Sequence, residues 1–600
     1  MSSPADAPAS GAEPERIIDG TGVAPGIAIG AVYRYDVGTP AVDQTPIAPE
    51  EVEDELAVLD DALARAEQEI EQVRTIADRV LGEDQAAIVE AQRMMLHDEA
   101  LLGPVRDRIR TDHESAGQAL QSVLRGYRQR IEESDDAYLR ERTNDLMEVE
   151  TRLLRALERG KTAAKIEPNA IVVADTLTAT DLIRLHEHGM LGCVTTGGGA
   201  HSHVSILARA LHVPAVVGAE GGPDAVETHD RAIVDGQAGR LIVHPSADTL
   251  DEYRRRRARQ QSLRTEQARE ASTPAETADG HTVSVQANVE FEEEFQILEE
   301  YGAEGIGLLR TEVLFLSRPA GAFTEDEQVA VYRKAARAAH PHAATVRLLD
   351  LGGDKSFSQG PREANPSLGW RGIRLLLDRP DELLRPQVRA LLRANTDGTL
   401  RVLLPMVTHL DEVRRVRSVI QEEADRLSRQ GIAHDADLPV GAMVEVPATA
   451  LQARTFADAA DFLSIGTNDL TQYVLAVDRN NDRVASRYDP LHPAVLSLVR
   501  RTAAAGQDTG TPVAVCGESA GDVHAVPLLI GLGVTALSAT PLYLPGLKRL
   551  IRHVSRAETS PLAEAACGAS NAETVHRQVR EWIAQHVDDT VIDPSELSSQ

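Results

Sequence analysis

Two stretches decide the fold: GAMVEVP (441–447) and FLSIGTN (462–468). Each is a short apolar run closed by a turn residue and followed by a helix-forming segment. Working outward, the same unit recurs at VSVQANV (283–289), GIGLLRT (305–311), TVRLLDLG (345–352), RVLLPMV (401–407), PVAVCGE (512–518) and TALSA (535–539). Eight strand–helix units in about 270 residues predict a (β/α)8 barrel, with a doubly wound open sheet as the alternative.

Upstream the pattern changes twice. Residues 17–35 (IIDGTGVAPGIAIGAVYRY) alternate β-branched runs with glycine turns and read as strands. Residues 48–158 are poor in glycine and repeat apolar positions at helical spacing (Val52, Leu56, Leu59, Leu63), which predicts several antiparallel helices. Strands return at AIVVAD (170–175), GCVTT (192–196), PAVVG (214–218), RAIVDG (231–236) and RLIVH (240–244). The helical block therefore reads as an insertion into an α/β domain. The charged stretch 248–272 is helix-forming with few apolar positions. It is expected to be an exposed linker helix, the alternative being a packed helix with a narrow apolar stripe. Beyond the barrel, Asn571–Val587 is amphipathic through Val575, Val579, Trp582 and Ile583.

Composition narrows the function. The chain has 600 residues, enough for several domains. It has no run of ~18 apolar residues, so no membrane insertion is expected. Its Ala/Ser/Pro-rich start lacks the pattern of a signal peptide and reads as a disordered tail. Three cysteines (Cys193, Cys516, Cys567) do not make a disulfide framework, which points to the reduced cytoplasm. Lys and Arg total 62 against 93 Asp and Glu, a formal charge of −31. That excess argues against nucleic acid as a partner. Arginine carries nearly all the positive charge. Either the surface is adapted to high salt, or a GC-rich genome favours arginine codons, which explains the missing lysine but not the acidic excess.

Polar residues collect at the C-terminal ends of the barrel strands: Arg310, Arg347, Glu445, Asn468, Asp469 and Cys516, with Arg479 nearby. In a barrel these ends share one mouth. Arginine forks suit phosphate and carboxylate, and Glu445 with Asp469 offers hard oxygen ligands for Mg2+. The set fits a small substrate bearing both anionic groups. Cys516 reads equally as a buried small apolar residue or as a proton donor to carbon. A second cluster, GGGAHSHVSILARAL (197–211), brings glycines and two histidines to an apparent helix start, where an anion is favoured. His201 and His203 are both candidate phosphoryl carriers, and no third or fourth ligand nearby supports a metal site.

These segments resemble enzyme I of the phosphoenolpyruvate:sugar phosphotransferase system, nearly end to end. The resemblance is carried by GGGAHSHVSILAR (197–209) and DFLSIGTNDLTQYVLAVDR (461–479), supported by GAEGIGLLRTEVLF (302–315), RLLDLGGDKSF (347–357), NPSLGWRGIR (365–374), MVEVPA (443–448) and CGESAGD (516–522). It implies phosphoryl transfer from phosphoenolpyruvate to a protein histidine and on to the carrier protein HPr. By register, His203 would be the phosphorylated residue. Arg310, Arg347 and Arg479 would grip substrate, Asn468 and Asp469 would contact it, Glu445 and Asp469 would hold Mg2+, and Cys516 would protonate C3. Arg371, Asp354 and Lys355 lie in matching segments.

The implied plan is a multidomain α/β chain. Residues 1–16 form a tail, and 17–46 with 159–246 form a swivelling phosphohistidine domain. Residues 47–158 are an inserted helical subdomain that docks HPr, and 247–276 are a linker helix. The TIM barrel spans 277–555, with a C-terminal extension over 556–600. A homodimer joined through the barrel is also implied. Two positions depart from the pattern: Ala200 and His201 stand where the family usually has Arg and Thr.

Overall fold

In a computed structural model of the chain, the residues described are 14–35, 46–80, 96, 99–132, 152–154, 156–157, 169–177, 179–197, 203–211, 213–316, 323–352, 365–479, 481, 483–588 and 590–592. They fall into two compact units divided between Ala258 and Arg259.

The first unit holds β1 (Arg16–Asp19), β2 (Thr21–Ala24), β3 (Ile27–Arg34), β4 (Ala170–Ala174), β5 (Gly192–Thr195), β6 (Ala215–Val217), β7 (Arg231–Asp235) and β8 (Arg240–Val243). They make one sheet in the order β1-β8-β7-β3-β4-β5-β6-β2. Strand β3 pairs in parallel with β4, Ala31 opposite Ala170, although more than a hundred residues separate them. The helices between them therefore lie, in sequence, within the strands of one sheet. The described helices there are Val52–Val80, Glu99–Thr111 and Ala116–Glu132. Their apolar residues Leu59, Val105, Ile109 and Leu120 share one buried cluster with Val172, Leu182, Leu207 and Val217 of the sheet domain.

The second unit is a closed ring of β9 (Ser284–Val289), β10 (Ile306–Leu309), β11 (Ala344–Arg347), β12 (Leu400–Leu404), β13 (Val440–Val444), β14 (Phe462–Ile465), β15 (Val513–Val515) and β16 (Ala536–Ala539). Strand β16 closes onto β9 with Ala536 opposite Ser284. All eight predicted strands are present, and the barrel alternative holds over the open sheet. Every pairing is parallel, so the C-terminal ends open on one face.

The charged segment forms the helix Ala247–Glu270, and the two units divide within it. Leu250 and Tyr253 pack on Ile27, Ile233 and Ile242 of the first unit. In the second unit Leu263 is buried and Glu266 and Glu270 pair with Arg549 and Arg552. A stripe too narrow to register as amphipathic is enough when each half of the helix meets its own apolar or charged surface. The amphipathic C-terminal residues pack on the barrel. Helices Arg556–Cys567 and Ala572–His586 bury Ala563, Val575, Val579 and Ile583 in the barrel core.

Candidate active site

The barrel mouth is built by the residues that leave each strand. Arg347 ends β11, Glu445 follows β13, Gly466 to Asp469 follow β14 and Cys516 follows β15. Gly466 gives close quarters there: a Cβ would stand 2.7 Å from Met443 Cε, 3.0 Å from the Cβ of Glu445 and 3.1 Å from its Oε2. Leaving out that methyl lets a buried carboxylate come up against the start of the Thr467–Leu475 helix, which carries Asp469.

The structure brings Arg347, Glu445 and Asp469 together, and adds Asp350 and Arg371. Arg371 donates to Asp350 at 2.7 and 3.1 Å and to Asp469 at 3.3 Å. Arg347 pairs with Glu312 at 2.9 Å and with Asp350 at 3.6 Å. Burial pulls both guanidinium groups down, but Glu312 and Asp350 around Arg347, and Asp350 and Asp469 around Arg371, hold them well above the ordinary value. Both arginines are therefore fixed cations with their forks oriented in advance.

Ligand oxygens of Asp350, Glu445 and Asp469 all lie within 4.8 Å of one another, and all three residues are buried. Glu445 accepts the Met406 N–H at 2.6 Å. Burial, and then the charges of Asp469 and Asp350, push its carboxyl up to about 8. Crowded oxygen donors with repulsion left over fit a hard divalent cation, which would supply the missing positive charge.

Cys516 is buried, and its sulfur accepts a hydrogen bond from Ser464 Oγ at 3.1 Å. Burial raises the thiol, so it stays protonated at neutral pH, and the charges of Glu445, Arg347 and Arg310 all reach it. Arg310 pairs with Glu290. Asn468 ties two loops together: its Nδ2 donates to Glu518 at 3.0 Å and its Oδ1 accepts the Glu518 N–H at 2.9 Å. Arg479 is exposed on the loop that follows; burial pushes the Tyr488 phenol up to about 12 although the charge of Arg479 pulls it down.

Sequence reasoning missed Glu312, Asp350, Glu290, Glu518 and Ser464. Asp350 had a signal, since it is an acid at a strand end within the quoted RLLDLGG. Glu312 and Glu518 have none, because their partners lie on other strands.

In the first unit, His203 opens the helix His203–Ala210, in agreement with the expectation of a histidine at a helix start. The lead-in is tied down where it is described: Thr195 Oγ1 donates to the Gly197 carbonyl at 2.7 Å, and Gly197 N–H to the Asp175 carbonyl at 2.8 Å. Ala200, His201, Asp354 and Lys355 lie outside the described residues.

A parallel barrel with buried arginines and convergent carboxylates at its mouth defines an enzyme for a small polyanionic substrate. Residues 264–556 match the PEP-binding domain of PEP-utilising enzymes, 19–142 their N-terminal domain and 166–239 their mobile domain. The phosphoenolpyruvate-protein phosphotransferase of Geobacillus stearothermophilus is 38% identical over 566 residues, 94% of this chain and 97% of that one. That of Haemophilus influenzae is 36% identical over 574 residues, 95% of this chain and 100% of that one. A solution structure described as Enzyme I is 32% identical, covers 40% of this chain and 98% of that one, and has a TM-score of 0.35. The chain belongs to the phosphoenolpyruvate-protein phosphotransferase family of PEP-utilising enzymes.

Proposed function

We propose that this transferase moves the phosphoryl group of phosphoenolpyruvate to His203 and then to a histidine of HPr, releasing pyruvate, as the first general component of the sugar phosphotransferase system. The observation that carries this is the buried mouth, where two preoriented arginines face three crowded carboxylates in a chain of this family.

The chemistry follows from the groups present. Arg310, Arg347 and Arg479 would neutralise the phosphate and carboxylate of the substrate, and Arg371 joins them by its position. Asn468 would orient the substrate between the two loops it already bridges. Glu445 and Asp469, with Asp350 beside them, would hold Mg2+. When bound, the ion would balance charge on the transferring phosphoryl oxygens. The bridging P–O bond of phosphoenolpyruvate breaks as a bond forms from phosphorus to a ring nitrogen of His203. The enolate left behind takes the Cys516 proton at C3 and becomes pyruvate, and the thiolate recovers a proton from solvent. A thiol pushed up by burial suits this acid role. The second transfer breaks the P–N bond and forms one to the carrier histidine.

His203 must serve both steps, so the phosphohistidine domain would visit the mouth and the carrier in turn. The inserted helices would dock HPr, and a homodimer through the barrel is the expected assembly. No helix among the described residues is long and apolar enough to cross a membrane. We place the enzyme in the cytoplasm, where phosphoenolpyruvate is made.

The test is incubation of the full chain with phosphoenolpyruvate labelled in its phosphate, plus Mg2+ and HPr. Label should appear on the protein, pass to HPr and be absent in His203→Ala. An unlabelled wild type ends the proposal, and label persisting in His203→Ala moves the acceptor to His201.

A further inference from the structure

The C-terminal helix Ala572–His586 has no part in the chemistry above, yet one of its side chains reaches a loop that does. His576 Nε2 lies 2.9 Å from Asp489 Oδ2. The other oxygen of Asp489 accepts the Leu491 N–H at 2.9 Å, and its carbonyl accepts the His492 N–H at 3.1 Å. Asp489 thus holds the end of the loop that leaves the Thr467–Leu475 helix. That loop carries Arg479. Its next-to-last anchor, Tyr488, donates its hydroxyl to the Asn468 carbonyl at 3.1 Å.

The helix is itself a firm support. Val575, Val579 and Ile583 are buried in the barrel core on either side of His576, and Asn571 caps the helix by accepting the Thr574 N–H at 2.9 Å. The His576 ring also stands 6.4 Å from that of His524. His524 is buried, is held at 3.3 Å by Asp522, and sits on the segment after β15. One helix therefore braces the two consecutive loops, after β14 and after β15, that Asn468 and Glu518 join at the mouth.

We infer that His576 is a positioning residue for substrate binding: through Asp489 and Tyr488 it sets the placement of Asn468 and Arg479. This rests on the mouth being the phosphoenolpyruvate site. It gives the extension a role in the reaction and not only in packing.

The experiment measures phosphoenolpyruvate affinity by calorimetry with Mg2+ present, in full-length protein carrying His203→Ala so that no turnover occurs. His576→Ala and His576→Gln are then added singly. Gln presents an amide N–H near the position of the imidazole Nε2. Displacing substrate-binding groups should weaken affinity about tenfold in His576→Ala, with His576→Gln within about twofold of the parent. In the His203-containing protein, His576→Ala should raise KM for phosphoenolpyruvate while transfer from phosphorylated protein to HPr keeps its rate, because that step does not use the mouth. Unchanged affinity in His576→Ala overturns the inference. So does an equal loss in His576→Gln, which would assign the effect to helix packing. If the parent binds no phosphoenolpyruvate, the mouth itself has been misassigned and both ideas fall. If it binds but the His203-containing protein takes no label, the proposed transfer reaction fails while the positioning role of His576 stands.

Discussion

Replacing Glu445 by Gln should make the metal-free protein more stable while abolishing its activity. The carboxylates of Glu445 and Asp469 approach within 4.8 Å in a buried site. Two unit charges at that distance, in an effective dielectric of about 20, repel by about 3.5 kcal/mol. Burial of the charge adds to this, and Arg347 and Arg371 offset part of it, leaving a net gain on the order of 2–5 kcal/mol on neutralising Glu445. Gln keeps an oxygen for the Met406 N–H, so the local hydrogen bond survives. The pH dependence has a definite sign. The Glu445 carboxyl is raised from 4.5 to about 8, so the folded state binds its proton more tightly than the unfolded state. Its favourable contribution is complete below the unfolded value and is lost as pH rises toward the folded one. The stability advantage of Glu445→Gln should therefore vanish near pH 4.5 and be full above about pH 8. Scanning calorimetry in chelator at about pH 5 and about pH 9 reads this difference directly. Magnesium should narrow the difference, stabilising the wild type by about 2.7 kcal/mol at a hundredfold excess over Kd and the variant far less. A variant less stable than wild type in chelator at the higher pH refutes the repulsion, and equal stabilisation of both proteins by magnesium refutes the ligand role.

Cys516→Ala should slow transfer from phosphoenolpyruvate by about a hundredfold or more, the usual reach of a general acid, with the melting temperature nearly unchanged. Normal turnover removes the proton-donor role. Gly517→Ala should destabilise the barrel by about 1–3 kcal/mol, because its Cβ would overlap Thr467 Oγ1, which accepts the Ser519 hydroxyl at 2.8 Å; denaturant melts check this. If the formal charge of −31 is a salt adaptation, melting temperature and activity should both rise toward molar salt. Greatest stability in dilute buffer contradicts it and leaves codon usage to explain the missing lysine alone.

The amino-acid order by itself determined the barrel. Strand length, apolar runs and the helix that follows each strand are local properties, and all eight strands lie where those patterns are. The positions of Arg347, Glu445, Asp469 and Cys516 at strand ends were legible for the same reason. Choosing His203 over His201 needed the register of VSILAR against a known family, since local chemistry treats the two alike.

Tertiary structure decided what those residues face. Arg371 meets Asp469 across 98 positions, Ser464 meets Cys516 across 52, and His576 meets Asp489 across 87. No periodicity encodes such pairings, because they arise from the angle at which neighbouring strands and helices deliver their side chains. The charged helix Ala247–Glu270 shows the same limit. Its three buried apolar residues look negligible in sequence, and only the surfaces they meet show that the helix is held.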